Sequence, residues 1–228
     1  MSISLPAVMR DLKSAAVPAN LEGMARYGIN TKNRYGVSIP NLRALAKRIG
    51  TDHNLALELW STGVKDAQTL AGMIDDPRRV TAAQMERWVR DFDSWDVCDQ
   101  VCSNLFDQTP FAHAKAMAWS RRREEFVKRA GFTLMACLAV HDKKASDAAF
   151  VKFLPRIKAE CEDERNYVKK AVNWALRQIG KRNAALNGKA VAVARELRRR
   201  ESRAARWIAS DALRELTGSA VKARLKYS

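Results

Sequence analysis

A short stretch of this chain occurs twice. Phe126-Val127-Lys128-Arg129-Ala130 returns 41 residues later as Tyr167-Val168-Lys169-Lys170-Ala171, and Ala175-Leu176-Arg177-Gln178-Ile179 returns 37 residues later as Ala212-Leu213-Arg214-Glu215-Leu216. A period of about 40 residues belongs to two-helix repeats of the HEAT and armadillo sort. No such hairpin buries its apolar face alone, so hairpins stack side by side and one helix of each lines a common surface. The expected fold is all-α, a superhelical solenoid of HEAT-like two-helix repeats with a concave basic surface. One domain is expected over 1–228, with an N-terminal helical cap at about 1–50, repeats over about 51–217 and a short basic tail.

Local signals agree with helices throughout. Gly (10) and Pro (6) are scarce in 228 residues, apolar residues recur three and four apart, and no alternating run is long enough for a strand. Helix starts are predicted at Ser38 before Pro40, at Thr81 with Gln84 as a capping box, at Thr109 with Pro110 in the first helical position, and at Ser146. Gly180 and Gly218 mark ends, and Pro155 predicts a break or a short second helix after the one opening at Ser146.

The charge points to a partner. Lys and Arg number 41 against 25 Asp and Glu, a net charge of +16 with a pI near 10.1, which suits a polyanion. By charge alone RNA, DNA and an anionic membrane surface all stay open. Cys98, Cys102, Cys137 and Cys161 contain no C-x-x-C pair and no His at ligand spacing, so neither a disulfide framework nor a metal site is expected. Cys98 and Cys102 read as packing residues in a reducing cytoplasm. The longest near-apolar run, Ala130 to Val140, is too short to span a bilayer, and no leader pattern opens the chain. The expectation is a cytoplasmic monomer with neither cofactor nor membrane partner.

Helical geometry then sorts the faces, since each residue turns the helix by about 100°. Near 167–179 the buried stripe is Val168, Ala171, Val172, Ala175, Leu176 and Ile179, which leaves Lys170, Trp174 and Arg177 pointing away from it. Either a neighbouring repeat covers Trp174, or something stacks on it between two cations. The repeat puts Arg129 in register with Lys170, over a core stripe of Val127, Ala130, Gly131, Leu134 and Leu138. Near 94–106 the stripe is Cys98, Val101, Cys102, Leu105 and Phe106. Trp95 and Asp99 lie together at its margin, and Asp96 is expected in solvent. Asp91, Asp93, Asp96, Asp99 and Asp107 crowd this segment. Helix-dipole stabilisation suits Asp96, but Asp99 lies beyond the first turn and needs another reason.

Met24-Ala25-Arg26-Tyr27, Ile39-Pro40-Asn41-Leu42-Arg43, Ser94-Trp95-Asp96-Val97-Cys98-Asp99, Lys128-Arg129-Ala130 and Lys170-Ala171-Val172-Asn173-Trp174-Ala175-Leu176-Arg177 together resemble the AlkD-like DNA alkylation repair enzymes, in order and at similar separations, from about residue 20 to about 216. The resemblance implies HEAT-like repeats and removal of N3- and N7-alkylated purines from duplex DNA without metal or cofactor. It implies that Asp99 is the catalytic carboxylate, that Trp95 and Trp174 line the cleft, that Arg129 holds the DNA backbone, that Tyr27 sits at the rim, and that Lys170 and Arg177 contact phosphates. Arg43 is carried over as a further DNA contact. Ser94 stands where some members have an aromatic residue. The implied enzyme is a monofunctional glycosylase, and the rival expectation is a non-catalytic repeat protein that binds damaged or branched DNA. The C-terminal cations Lys181, Arg182, Arg198, Arg199, Arg200, Arg203 and Arg206 are expected to meet phosphates or solvent.

Overall fold

The computed structural model describes residues 3–226, and every regular element among them is helical. The α-helices are α1 (Leu5–Ser14), α2 (Ala19–Arg26), α3 (Ile39–Ile49), α4 (His53–Ser61), α5 (Lys65–Ile74), α6 (Ala82–Arg90), α7 (Trp95–Asn104), α8 (Ala112–Trp119), α9 (Glu125–His141), α10 (Asp147–Val151), α11 (Leu154–Glu160), α12 (Asn166–Gly180), α13 (Ala184–Arg198), α14 (Arg203–Leu216) and α15 (Ser219–Lys226). The chain forms two compact units, Met1–Thr109 and Pro110–Ser228. No helix among the described residues is long and apolar enough to cross a membrane.

In the second unit the sequence repeat becomes structure. Helices α9, α12 and α14 start at 125, 166 and 203, which reproduces the 41- and 37-residue offsets. They pack in that order, while α8, the broken pair α10 and α11, and α13 serve as their hairpin partners. The predicted stripe of α12 (Val168, Ala171, Val172, Ala175, Leu176 and Ile179) is wholly buried. Two glycines set the spacing. A Cβ on Gly131 would lie 2.3 Å from the Ser120 nitrogen at the end of α8, and one on Gly180 would lie 2.8 Å from Ala190 and Leu216.

Polar bonds tie one repeat to the next. Asn173 donates to Asp211 at 2.6 Å, Lys158 pairs with Glu196 at 3.0 Å, Arg200 with Glu162 at 2.9 Å, and Arg177 with Glu215. Each of these joins residues 38 apart, about one repeat, so the ladder checks the register of the stack. Lys128 reaches Glu160 at 2.7 Å and Asp163 at 3.1 Å, and the Asp163 carboxylate also accepts from the Arg165 guanidinium.

In the first unit α5 is the central element, packed by α3, α4 and α7 and buried over most of its length. Its Asp66 is 1% exposed, and the carboxylate accepts from the backbone N–H groups of Tyr35 at 2.7 Å and Val37 at 2.9 Å. That bond pair holds the loop between α2 and α3. Trp60 and Trp88 stack at 3.9 Å with Phe92 and Phe106 around them, an apolar centre for the α4 to α7 hairpins.

Several helix starts match the sequence reading and two differ. Ser38 caps α3 by accepting from Asn41, Pro155 opens α11, and Thr81 accepts from Gln84 at 3.1 Å. The Gln84 side chain does not complete the box, because it donates to buried Asp75 at 2.7 Å. Thr109 does not cap a helix beginning at Pro110. Its hydroxyl closes the 3-10 turn Phe106–Gln108 on the Phe106 carbonyl, and α8 starts at Ala112. The stretch after 217, expected as a tail, forms α15, with Arg224 donating to the Lys181 carbonyl at 3.0 Å. All four cysteines are buried and outside any disulfide.

Two outcomes follow from this packing. Gly131→Ala forces α9 off the end of α8 and lowers unfolding free energy by at least ~1–3 kcal/mol, whereas Gly188→Ala, with nothing within 4 Å of the added carbon, raises it by ~0.5–1 kcal/mol; urea denaturation measures both. For Asp163, burial pushes the pKa up, but the hydrogen bonds from Arg165 and Lys128 overcome it and hold the group at about 2. A folded-state pKa below the unfolded value stabilises the protein above pH about 4, and that contribution is lost as pH falls toward about 2. Asp163→Asn therefore flattens the acid limb of a stability-against-pH curve.

Candidate functional site

Helix α7 carries the resemblance-derived carboxylate. Val97, Cys98, Val101 and Cys102 anchor it in the first unit, each 0% exposed, which leaves Trp95, Asp96, Asp99 and Gln100 at the half-buried margin. Trp95 is the first helical residue and Asp99 stands one turn further along, so both side chains share one edge.

A loop from residues 27 to 37 fixes the start of that helix. The Trp95 indole N–H donates to the Tyr27 carbonyl at 3.0 Å, so one edge of the ring is tethered. Ser94 is 0% exposed; its hydroxyl accepts from the Asn30 backbone at 3.2 Å and donates to Asp96 at 2.6 Å. The Asn30 side-chain amide donates to Asp93 at 2.8 Å. Arg34 pairs with Asp96 at 2.7 Å, with its side chain 4% exposed and that of Asp96 15%. The sequence reading placed Asp96 in solvent. The loop folds back over it, and Asp96 is an inward ion-pair partner.

The aspartate cluster is thereby resolved. Asp91 accepts from the Trp60 indole at 2.8 Å, Asp93 pairs with Lys65 at 2.9 Å, Asp96 pairs with Arg34, and Asp107 is buried in the 3-10 turn. Each supports the fold locally. Asp99 is half-buried on α7, beside Trp95 in sequence register and outside the packed stripe.

The remaining residues of the first unit sit as follows. Tyr27 is 77% exposed and ends α2, so its ring is open while its carbonyl holds Trp95. Arg43 is exposed on α3. In the second unit α12 presents Lys170 exposed and Trp174 and Arg177 half-buried, on the side away from the core stripe as the periodicity predicts. Arg177 is engaged with Glu215 and lies 3.6 Å from Asp211.

Arg129 differs from expectation. It is 5% exposed and donates to the Tyr167 carbonyl at 2.7 Å, in the first turn of α12. It is not a solvated cation on the same wall as Lys170, because α9 is buried almost all round between its neighbours. Lys181 pairs with Glu215 at 2.5 Å, Arg182 lies 4.2 Å from the Phe150 ring, and Arg200 pairs with Glu162, so these three C-terminal cations serve the fold. Arg198, Arg199, Arg203 and Arg206 are exposed.

Among the described residues no group of three or more His, Cys, Asp or Glu side chains could hold a metal ion. Asn30, Arg34 and Ser94 were not singled out as a tether by sequence reasoning. Their partners lie far along the chain, and only the folded loop brings them together.

Helical hairpins repeating at about 40 residues, under a strong positive charge, define a HEAT-like repeat protein. A solved structure described as "a new family of proteins related to the HEAT-like repeat DNA glycosylases with affinity for branched DNA structures" is similar over 98% of this chain and 96% of that one, with a TM-score of 0.79 and 22% sequence identity. No curated protein matches the chain. The sequence model of the DNA alkylation repair enzyme family matches residues 8–216, and the chain belongs to that family.

The tether can be tested apart from any activity. Arg34→Met strands the inward Asp96 carboxylate and lowers unfolding free energy by ~3–5 kcal/mol, and adding Asp96→Leu to it restores a large part of that loss. Losses that simply add in urea denaturation, the double variant losing the sum of Arg34→Met and Asp96→Leu, would show the pair to be uncoupled.

Proposed function

We propose that this protein is a monofunctional DNA glycosylase that hydrolyses the N-glycosidic bond of cationic N3- and N7-alkylated purines in duplex DNA. The observation that carries the reading is the pair on α7, a half-buried carboxylate one turn beyond a half-buried indole whose edge is tethered to the Tyr27 carbonyl. Family membership and the charge of +16 support the DNA partner.

The chemistry asks for one carboxylate. Ordinary glycoside hydrolysis needs an acid for the leaving group and a second carboxylate on the sugar side. An alkylpurine bearing a positive ring leaves as a neutral base, because the electron pair of the breaking C1′–N bond goes to that ring. Asp99 stabilises the positive charge that develops at C1′ and takes the proton from the water whose oxygen bonds there. Trp95 packs on the nucleotide through its π face, contributing about 0.5–2 kcal/mol toward a positive sugar, and Trp174 offers DNA an indole on α12. Lys170, Arg43 and Tyr27 contact the DNA from exposed positions, and Arg177 does so while retaining Glu215. Arg129 acts through the first turn of α12, which carries Lys170 and Trp174 on the same helix.

A second reading is a non-catalytic protein that binds branched DNA, favoured by the description of the similar solved structure. Release of 7-methylguanine from alkylated duplex DNA separates the two. Asp99→Asn is expected to cut release by about 10²–10³-fold with duplex binding retained. Wild-type protein that binds DNA yet releases no base would support the second reading.

A further inference from the structure

The face calculation that exposes Lys170 on α12 also exposes a tryptophan on α14. The buried stripe of α14 is Ala204, Ala205, Ile208, Ala209, Ala212 and Leu216, all 0% exposed. Trp207 lies on the opposite side and is 40% exposed, with Arg203 one turn before it and Arg206 next to it, both exposed. From the neighbouring repeat, the Lys169 ammonium stands 5.3 Å from the Trp207 ring centroid. Trp207 follows Lys170 by 37 residues, the offset between these two repeats, so it continues the row that Lys170 begins.

The patch is cationic with two acidic neighbours, Glu164 and Asp211; Asp211, one turn beyond Trp207, accepts from Asn173 at 2.6 Å and pairs with Arg214. Glu164 accepts from the Ala204 N–H at 3.0 Å and from the Ser202 hydroxyl at 3.2 Å, capping the start of α14. The Ala204 N–H above all, with Ser202 and the charges of Lys169 and Arg203, holds Glu164 below the usual carboxylate range. Its charge is thus tied to the helix start, against Lys169, Lys170, Arg203 and Arg206 around the indole.

An indole left open to water serves no core, and one indole is too small an apolar area for the centre of a protein interface. An aromatic face ringed by cations matches a nucleotide, with the base on the ring and the flanking phosphates on the charges. Bases inside a duplex are already stacked and cannot reach such a ring.

We infer that Trp207, with Lys169, Arg203 and Arg206, forms a stacking site for an unpaired base of DNA, next to the phosphate contact at Lys170 and separate from Asp99, Trp95 and Trp174. The inference rests on the DNA-binding part of the reading above and not on the chemistry of Asp99.

The test compares affinity for an intact duplex with affinity for the same duplex carrying a short single-stranded thymidine flap, by fluorescence anisotropy at fixed salt. Wild-type protein binds the flapped duplex more tightly. Trp207→Ala and Trp207→Leu each lose roughly tenfold or more of affinity for the flap and leave intact-duplex affinity unchanged, and Trp207→Phe keeps most of the preference. The Leu variant retains apolar volume on the helix, so a fold defect confined to the Ala variant does not blur the result. No preference in wild type, equal losses on both substrates, or unchanged flap binding in the variants overturns the site. Base release from alkylated duplex, measured on the same variants, stays at the wild-type level; its absence in wild type would instead count against the glycosylase reading and leave the flap comparison standing.

Discussion

Close approach of neighbouring helices is the constraint on which the second unit depends. Gly131 brings α9 against the end of α8, and Gly180 lets α13 and α14 meet the end of α12. With that spacing fixed, Val168 to Ile179 form an unbroken buried stripe, and residues about 38 apart come within hydrogen-bond reach. Exposure of Lys170 and Trp207 is the other side of the same geometry. A helix that commits one face to its neighbours leaves the opposite face to solvent.

The first unit solves a different problem, how to hold an aromatic ring at a margin without burying it. Its answer is a loop tied down at several points: Asp66 grips the backbone at Tyr35 and Val37, Arg34 reaches Asp96, and Asn30 reaches Ser94. The Trp95 indole is then fixed through its N–H while the residue stays half-buried. Preorganisation of this kind spares a binding surface the entropy of ordering a side chain at the moment of contact.

Much of this was legible in the residues. The 41- and 37-residue offsets foretold the helix starts at 125, 166 and 203, and the 3.6-residue period foretold the core stripes of α7 and α12. What escaped was whatever depended on more than one helix. Arg129 looked exposed because the face calculation allows each helix one buried side, while α9 is enclosed on nearly all of them. Asp96 looked solvated because Arg34 lies 62 positions earlier and leaves no local trace. Thr109 and Pro110 carried a sound capping signal, yet Thr109 closes the 3-10 turn by donating to the Phe106 carbonyl and α8 starts only at Ala112, with Phe111 before it.

Burial limits the chemistry of the four thiols. Cys98, Cys102 and Cys161 are 0% exposed and Cys137 is 3% exposed, and burial pushes the Cys161 thiol above its ordinary pKa. Sulfur reacts with electrophiles as thiolate and only where the reagent can arrive. Sealed inside the helices, these thiols offer an electrophile in solution little access to sulfur.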